Sequence, residues 1–151
     1  MQAWRLYPQR FRETAFTGTG GLYVASRWNH RGTMMVYTAS SRALAALEYF
    51  VNLDPGEAPD DLLMAEAAFA DDWIEALEPG SLPSDWRTLD NLACRDIGSA
   101  WAVSRRSMAL LVPSAVIEGD TNLLLNPAHP NFGLVSLLEP VPFHFDPRMF
   151  R

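Results

Sequence analysis

The chain has 151 residues, 48% of them hydrophobic and 20% charged, which is the size and composition of one soluble globular domain. Twelve basic against eighteen acidic residues give a formal net charge of −6, which argues against a nucleic-acid backbone as the main partner. All twelve basic residues are arginines, so lysine Schiff-base chemistry is excluded.

Hydrophobic patterning predicts strands and helices that alternate without a strict βαβ rhythm. Segment 62–69 fits either a helix or a strand, and its short length between Pro and Asp clusters favours a strand. The predicted strands are 3–7, 22–24, 34–38, 62–69, 108–112, 122–125, 135–138 and 141–145, and the predicted helices are 42–52, capped by Ser40 or Ser41, and 89–105. These elements predict one α+β domain over residues 1–151, a mixed sheet with flanking helices.

The cysteine and histidine content predicts no metal site. Cys94 is the single cysteine, which excludes an internal disulfide and favours a reducing compartment. The three histidines are scattered and none forms a pair with metal-ligand spacing. The N-terminus lacks the apolar run of a signal peptide, and no segment approaches the ~20 apolar residues of a membrane span. We therefore expect a cytoplasmic protein with no membrane association.

Glu48 is the most informative charged residue. It follows Leu44 by four residues and precedes Val51 by three, so it lies on or beside the apolar stripe of the predicted helix. A carboxylate that faces a core is costly unless it is paired or used. Glu48 is therefore either half of a structural ion pair with an arginine or an active-site carboxylate.

Two further positions suggest a site only in combination. Ser114 follows a predicted buried strand, where loops often carry functional residues, although a serine there is most often a helix cap or turn residue. Arg27 lies in a segment of small residues, where its planar fork could grip a phosphate while Trp28 packs against it. Glycines 18, 20 and 21 do not match the dinucleotide-binding fingerprint and are more typical of a flexible loop.

Taken together, short motifs in a fixed order resemble one known family over nearly the whole chain. They are Trp4-Arg5-Leu6, Gly18-Thr19-Gly20-Gly21, Ser26-Arg27-Trp28-Asn29-His30-Arg31-Gly32, Val36-Tyr37-Thr38-Ala39, Leu44-Ala45-Ala46-Leu47-Glu48, Asp85-Trp86, Ile97-Gly98-Ser99-Ala100-Trp101, Val112-Pro113-Ser114-Ala115-Val116, Asn122-Leu123-Leu124-Leu125-Asn126-Pro127-Ala128-His129-Pro130 and Phe143-His144-Phe145-Asp146-Pro147-Arg148. The chain resembles the RES-domain family, the toxin half of bacterial Xre–RES toxin–antitoxin pairs.

The resemblance implies a fold similar to that of ADP-ribosyltransferases and cleavage of the N-glycosidic bond of NAD⁺, which releases nicotinamide. NAD⁺ would be a substrate, and no prosthetic group is expected. By the same resemblance, the catalytic residues are Arg27, Tyr37, Glu48 and Ser114, and the NAD⁺-binding residues are Arg27, Trp28, Tyr37, Ser114 and Asn126.

Each implied residue has a chemically coherent role. Glu48 would stabilise the oxocarbenium-like ribose, as carboxylates do in glycosidases, or it would hold a ribose hydroxyl. Tyr37 would stack on the cationic nicotinamide ring, although a core aromatic is the plainer interpretation of that residue. Arg27 would clamp the pyrophosphate, while Ser114 and Asn126 would position the nicotinamide side.

The resemblance leaves the acceptor and the partner open to three hypotheses. The first is degradation of NAD⁺ with water or inorganic phosphate as acceptor, and the second is transfer of ADP-ribose to a protein. The third, of another class, is a catalytically silent protein that only binds an antitoxin. The expected partner is a cognate Xre-family helix-turn-helix antitoxin, which would supply the DNA contact that this acidic chain lacks, and a homodimer is compatible with the sequence.

Overall fold

Eight strands form one sheet in the computed structural model, which describes residues 1–151. The strands are β1 (Gln2–Pro8), β2 (Val36–Ala39), β3 (Leu62–Ala68), β4 (Ile74–Ala76), β5 (Ala109–Pro113), β6 (Thr121–Leu125), β7 (Ser136–Leu137) and β8 (Val141–Phe143). The helices are α1 (Gly20–Tyr23), α2 (Arg42–Phe50) and α3 (Leu92–Ser104). None of the three combines the length and hydrophobicity that a membrane-spanning helix requires.

The strand order is β4-β5-β6-β2-β1-β3-β7, with β8 also paired to β3. Only β4 and β5 run parallel; every other pairing is antiparallel. The expected mixed sheet with flanking helices is therefore confirmed. Because β7 and β8 are two short segments on one edge, separated by residues 138–140, that edge offers little backbone to another strand.

The two faces of the sheet are covered differently. Helices α2 and α3 lie on one face, α2 against β1, β2 and β3, and α3 against β5 and β6. The other face packs against the loop after β1 and the turns near both ends of the sheet. The residues of the α2 cluster are Leu6, Ala39, Leu44, Ala45, Leu62 and Met64; those of the α3 cluster include Trp28, Cys94, Trp101, Leu110, Val112 and Leu124.

Side-chain caps set the starts of both long helices. The Ser41 hydroxyl accepts a hydrogen bond from the Leu44 amide at 3.0 Å, so α2 begins where the sequence predicts. The Asn91 side chain accepts one from the Cys94 amide at 3.2 Å, and the preceding Asp90 has a positive φ of 58°. The predicted helix 89–105 therefore begins later, because Asp90 lies outside the helical region of the backbone.

Two short predictions differ from the structure, and strand β4 (Ile74–Ala76) has no counterpart among the predicted elements. Segment 22–24 was predicted as a strand, but it lies at the end of helix α1 and the chain that leaves it; three apolar residues cannot distinguish the two periodicities. Segment 141–145 was predicted as one strand, but β8 ends at Phe143.

Candidate active site

Helix α2 carries Glu48 over the middle of the sheet. Leu44 and Ala45 on the same helix are buried against β1, β2 and β3, which fixes the helix and leaves Glu48 half-buried. Neighbouring strands β2 and β6 are paired beneath it, with Ala39 opposite Asn122. The carboxylate of Glu48 reaches Asn122 of this pair, with which it forms a hydrogen bond.

Two neutral donors hold the Glu48 carboxylate. Ser114 Oγ donates to Glu48 Oε1 at 2.7 Å, and Asn122 Nδ2 donates to the same oxygen at 2.6 Å. Glu48 forms no ion pair, so the structural ion pair with an arginine considered from the sequence is absent. The second oxygen, Oε2, has no hydrogen-bond partner and is not sealed from solvent. The arrangement presents one oriented, electrostatically uncompensated carboxylate oxygen.

The Ser114 hydroxyl uses all of its hydrogen-bonding capacity here, with one bond donated and two accepted. Its oxygen accepts hydrogen bonds from the amides of Val116 at 3.1 Å and Ile117 at 3.0 Å. Its single proton is therefore directed at Glu48. The turn after β5 thus fixes the hydroxyl that orients the Glu48 carboxylate, while contact of Ser114 with a substrate stays a prediction.

Tyr37 lies on β2, two residues before Ala39 and on the same face of the sheet. Its hydroxyl donates to Asn29 Oδ1 at 2.6 Å and accepts from the amide of Trp28 at 3.0 Å. Burial raises the pKa of Tyr37 well above that of a free phenol, so the hydroxyl stays protonated at physiological pH. Tyr37 is thus a neutral aromatic group whose position is fixed by the loop that follows α1.

The loop that carries Arg27 and Trp28 is hydrogen-bonded to segment 86–88. Arg27 donates to the carbonyls of Trp86 at 2.9 Å, Thr88 at 3.3 Å and Arg87 at 3.4 Å. Trp28 is buried in the core, with its ring centroid 6.2 Å from that of Trp86. Arg27 and Trp28 are brought next to Tyr37, while their contact with a substrate stays a prediction.

Glycine at position 98 permits this placement of the loop. A Cβ at Gly98 of α3 would lie 1.8 Å from the carbonyl oxygen of Trp28. Any side chain there would push the loop away from the helix.

Asn126 lies at the other end of β6 from Asn122. Its Nδ2 donates to the carbonyl of Ala102 at 2.8 Å, its Oδ1 accepts from the amide of Ala128 at 3.0 Å, and the residue is buried. Four residues along a strand span about 13 Å, so the structure does not bring Asn126 to the Glu48 carboxylate. Both ends of its amide are used within the fold, and its contact with a substrate stays a prediction.

Arg5 is a cation that sequence reasoning did not assign to the site. Pairing between β1 and β2 is confined to Trp4 and Ala39, and the strands separate toward Tyr37. Arg5 bridges this separation, with Nη1 donating to the carbonyl of Tyr37 at 2.8 Å. Its Nε is buried without a partner, it forms no ion pair, and burial lowers the pKa of Arg5. A partly desolvated guanidinium without a counter-ion is suited to bind an anion.

Two cavities of about 170 and 230 Å³ lie elsewhere on the molecule. Typical ligand clefts occupy about 300–1,000 Å³. Glu48 lines neither cavity, and no group of three or more His, Cys, Asp or Glu side chains is arranged to hold a metal ion. The first is lined in part by Trp4, Arg42 and Glu66, and the second in part by Phe145 and Phe150.

Comparison with known proteins identifies the family. The family model described as the RES domain matches residues 2–146. The chain belongs to the RES domain family. This confirms the resemblance found in the motifs, because the match spans all of them except the end of the last one.

Relatives of this RES chain are similar over most of their length. It is 36% identical over 151 residues to "Toxin Res" of Yersinia enterocolitica, covering 99% of each chain. It is 39% identical over 139 residues to "Prs ADP-ribosylating toxin" of a Sphingobium species, covering 89% of this chain and 86% of the relative. The crystal structure of the M. tuberculosis MbcT–MbcA toxin–antitoxin complex contains a chain with the same fold, at a TM-score of 0.72 and 18% identity, covering 99% of this chain and 86% of that one.

The sequence of this RES chain did not point to two residues of the candidate site, Arg5 and Asn122. Arg5 is the lone charge in a strand that otherwise reads Ala3-Trp4 and Leu6-Tyr7, which marks it as a costly residue in a core strand. Asn122 precedes three consecutive leucines, but nothing in its local pattern connects it with Glu48, 74 residues away. Only the register of β2 with β6 brings the two residues together.

Proposed function

We propose that this RES-domain chain is the toxin of a toxin–antitoxin system and that it degrades NAD⁺ by cleaving the bond between nicotinamide and ribose. The observation that carries the proposal is the Glu48 carboxylate, held on one oxygen by Ser114 and Asn122 and free of any cation. A nearby arginine would neutralise this charge and weaken its effect on a developing cation. No protein cation is paired with the Glu48 carboxylate.

The reaction needs no chemistry beyond what a carboxylate and positioned donors supply. The ribose C1′–N bond breaks and its electron pair goes to the nicotinamide ring nitrogen, which neutralises the positive charge of that ring. The ribose is left as an oxocarbenium-like species, which Glu48 Oε2 stabilises. Water then adds at C1′ and loses a proton, giving ADP-ribose; inorganic phosphate would instead give the phosphorylated sugar.

The other candidate residues account for substrate binding. We assign the pyrophosphate to Arg5, whose guanidinium has no counter-ion, and to Arg27, which would exchange its carbonyl contacts for phosphate oxygens. Tyr37 would pack on the nicotinamide ring as a neutral aromatic. Trp28 would support this surface from the core, and Asn126 would contact the nicotinamide side after rearrangement of the turn that follows β6.

Transfer of ADP-ribose to a protein is the second candidate function. One relative, 39% identical, carries the name "Prs ADP-ribosylating toxin", and the same bond in NAD⁺ would break in both reactions. The two differ only in which nucleophile reaches C1′. A catalytically silent role is disfavoured, because a carboxylate oriented by two donors and left without a counter-ion is costly to keep for packing alone.

An antitoxin partner follows from the toxin role, since free NAD⁺ cleavage would harm the cell that makes the enzyme. Support comes from the related fold in the MbcT–MbcA toxin–antitoxin complex. We propose a cognate Xre-family helix-turn-helix protein that carries the DNA contact, because the chain described here is acidic. Inhibition would come from a partner segment that covers the Glu48 site and offers a carboxylate to its arginines.

Expression in a bacterium tests the toxin and its substrate together. The wild-type chain alone should lower cellular NAD⁺ and stop growth, and co-expression with the neighbouring antitoxin gene should restore both. The Glu48→Gln variant should be harmless alone yet still bind the antitoxin. Growth arrest with unchanged NAD⁺ would reject NAD⁺ degradation and favour modification of a protein; unimpeded growth with unchanged NAD⁺ would favour the silent role.

A further inference from the structure

Asn122 is the donor to Glu48 to which the family resemblance assigns no role. It begins the buried run of β6, directly before Leu123, Leu124 and Leu125, and its neighbours across the sheet are Ala39 and Val112. Packing alone would favour another apolar residue at this point. The structure instead keeps an amide whose Oδ1 is buried and has no hydrogen-bond partner.

The orientation of this amide follows from charge. An ionised carboxylate accepts hydrogen bonds only, so the NH₂ end of Asn122 must face Glu48 and the oxygen must face away. Asn122 therefore forms the 2.6 Å contact with Glu48 Oε1 through its NH₂ group. In this orientation its Oδ1 is buried and has no hydrogen-bond partner. A buried acceptor left unpaired disfavours folding and is tolerated where function requires it.

Asn122 and Ser114 donate hydrogen bonds to the same oxygen, Glu48 Oε1, from different structural elements. Ser114 approaches from the turn after β5, where two backbone amides fix its hydroxyl, and Asn122 approaches from β6. One donor alone would let the carboxylate rotate about that contact, whereas two donors from separate elements fix its plane. Neither donor binds Oε2.

We propose that Asn122 is a positioning residue for Glu48, which keeps Oε2 aimed at the ribose of the substrate. This inference rests on the proposed NAD⁺ cleavage and adds a residue to it. Asn122 touches the carboxylate and not the reacting atoms, so its loss should lower kcat and leave substrate binding nearly intact. The expected loss is on the order of 10- to 100-fold in kcat, the size that follows from a small misplacement of a reacting group.

Two variants and a matched control test the proposal. Asn122→Leu has similar size but no donor, and Asn122→Asp keeps the shape but turns an acceptor oxygen toward Glu48. The control is Asn52→Leu, because Asn52 Nδ2 also donates to Glu48, at 2.9 Å, but to its backbone carbonyl. Nicotinamide release from NAD⁺ gives kcat and KM for each purified protein, and a thermal melt shows that each is folded.

Both Asn122 variants should lose kcat with KM changed by less than about threefold, while Asn52→Leu keeps wild-type kcat. Wild-type kcat in a folded Asn122→Leu or Asn122→Asp would overturn the proposal. A loss seen as a rise in KM alone, or matched in Asn52→Leu, would also overturn it, because it would indicate a general effect on the fold. Failure of the wild-type protein itself to release nicotinamide would instead reject NAD⁺ cleavage.

Discussion

Replacement of Glu48 by glutamine isolates the charge of the proposed catalytic group. The two side chains have nearly the same shape, and the amide oxygen of glutamine can still accept from Ser114 Oγ and Asn122 Nδ2. The variant therefore keeps both contacts and loses only the negative charge. Any change in rate reports what that charge does in the transition state.

The expected loss is large in rate and limited in stability. Removing one preorganised electrostatic group typically costs about 100- to 1,000-fold in kcat, or about 2.7–4 kcal/mol. Each hydrogen bond to a charged group contributes about 1.5–3 kcal/mol and each neutral one about 0.5–1.5 kcal/mol. Taken at matching ends of these ranges, the two bonds should together weaken by about 2–3 kcal/mol, and the lower cost of burying an amide than a carboxylate offsets part of this.

Nicotinamide release measured by liquid chromatography, together with a thermal melt, checks both quantities. Glu66→Gln is the matched control. Glu66 on β3 is also half-buried, and it accepts a hydrogen bond from Gln2 at 2.7 Å, but it forms no hydrogen bond with Glu48, Ser114 or Asn122. Glu66→Gln should keep wild-type turnover. Near-normal turnover in Glu48→Gln, or equal losses in both variants, would refute the electrostatic role.

Three further predictions concern the binding residues and pH. Arg5→Lys, tested by calorimetry in the Glu48→Gln background so that NAD⁺ is not consumed, should weaken NAD⁺ binding by about 1.5–3 kcal/mol, because an ammonium lacks the planar fork; unchanged affinity would remove Arg5 from the site. Arg27→Lys should cost a similar amount in the same titration, and an undiminished affinity would leave Arg27 only its contacts to the loop 86–88. Burial raises the pKa of Tyr37, so the free energy of unfolding should fall as pH rises above about 10, where an unfolded tyrosine ionises. Urea unfolding at pH 9 and 11 should show a shallower fall in Tyr37→Phe, by up to about 1.4 kcal/mol per pH unit, and an identical fall in both proteins would contradict this origin.

Local patterns were enough to place most of the sheet and its two main helices. The apolar run in 62–69 and the Ser41 cap before Arg42 each predicted an element that the structure contains. Boundaries were less accurate where a backbone feature decides them. The positive φ of Asp90 delays α3, and no composition rule predicts that angle.

The partners of Glu48 could not be predicted from its surroundings in the chain. Its place on the apolar stripe of α2 marks a carboxylate that needs a partner, and the sequence suggested an arginine for that purpose. The structure supplies an amide from β6 and a hydroxyl from the turn after β5 instead. Both contacts depend on strand pairing across more than sixty residues, which the periodicity within a strand does not encode.

Proton NMR of NAD⁺ incubated with the purified chain, with and without inorganic phosphate, tests NAD⁺ degradation most directly. The account predicts that free nicotinamide and a new ribose C1′ signal appear together, as ADP-ribose in phosphate-free buffer or as a phosphorylated sugar when phosphate is the acceptor. The Glu48→Gln variant should leave the NAD⁺ spectrum unchanged over the same time. An unchanged spectrum with folded wild-type protein in both buffers would contradict the account.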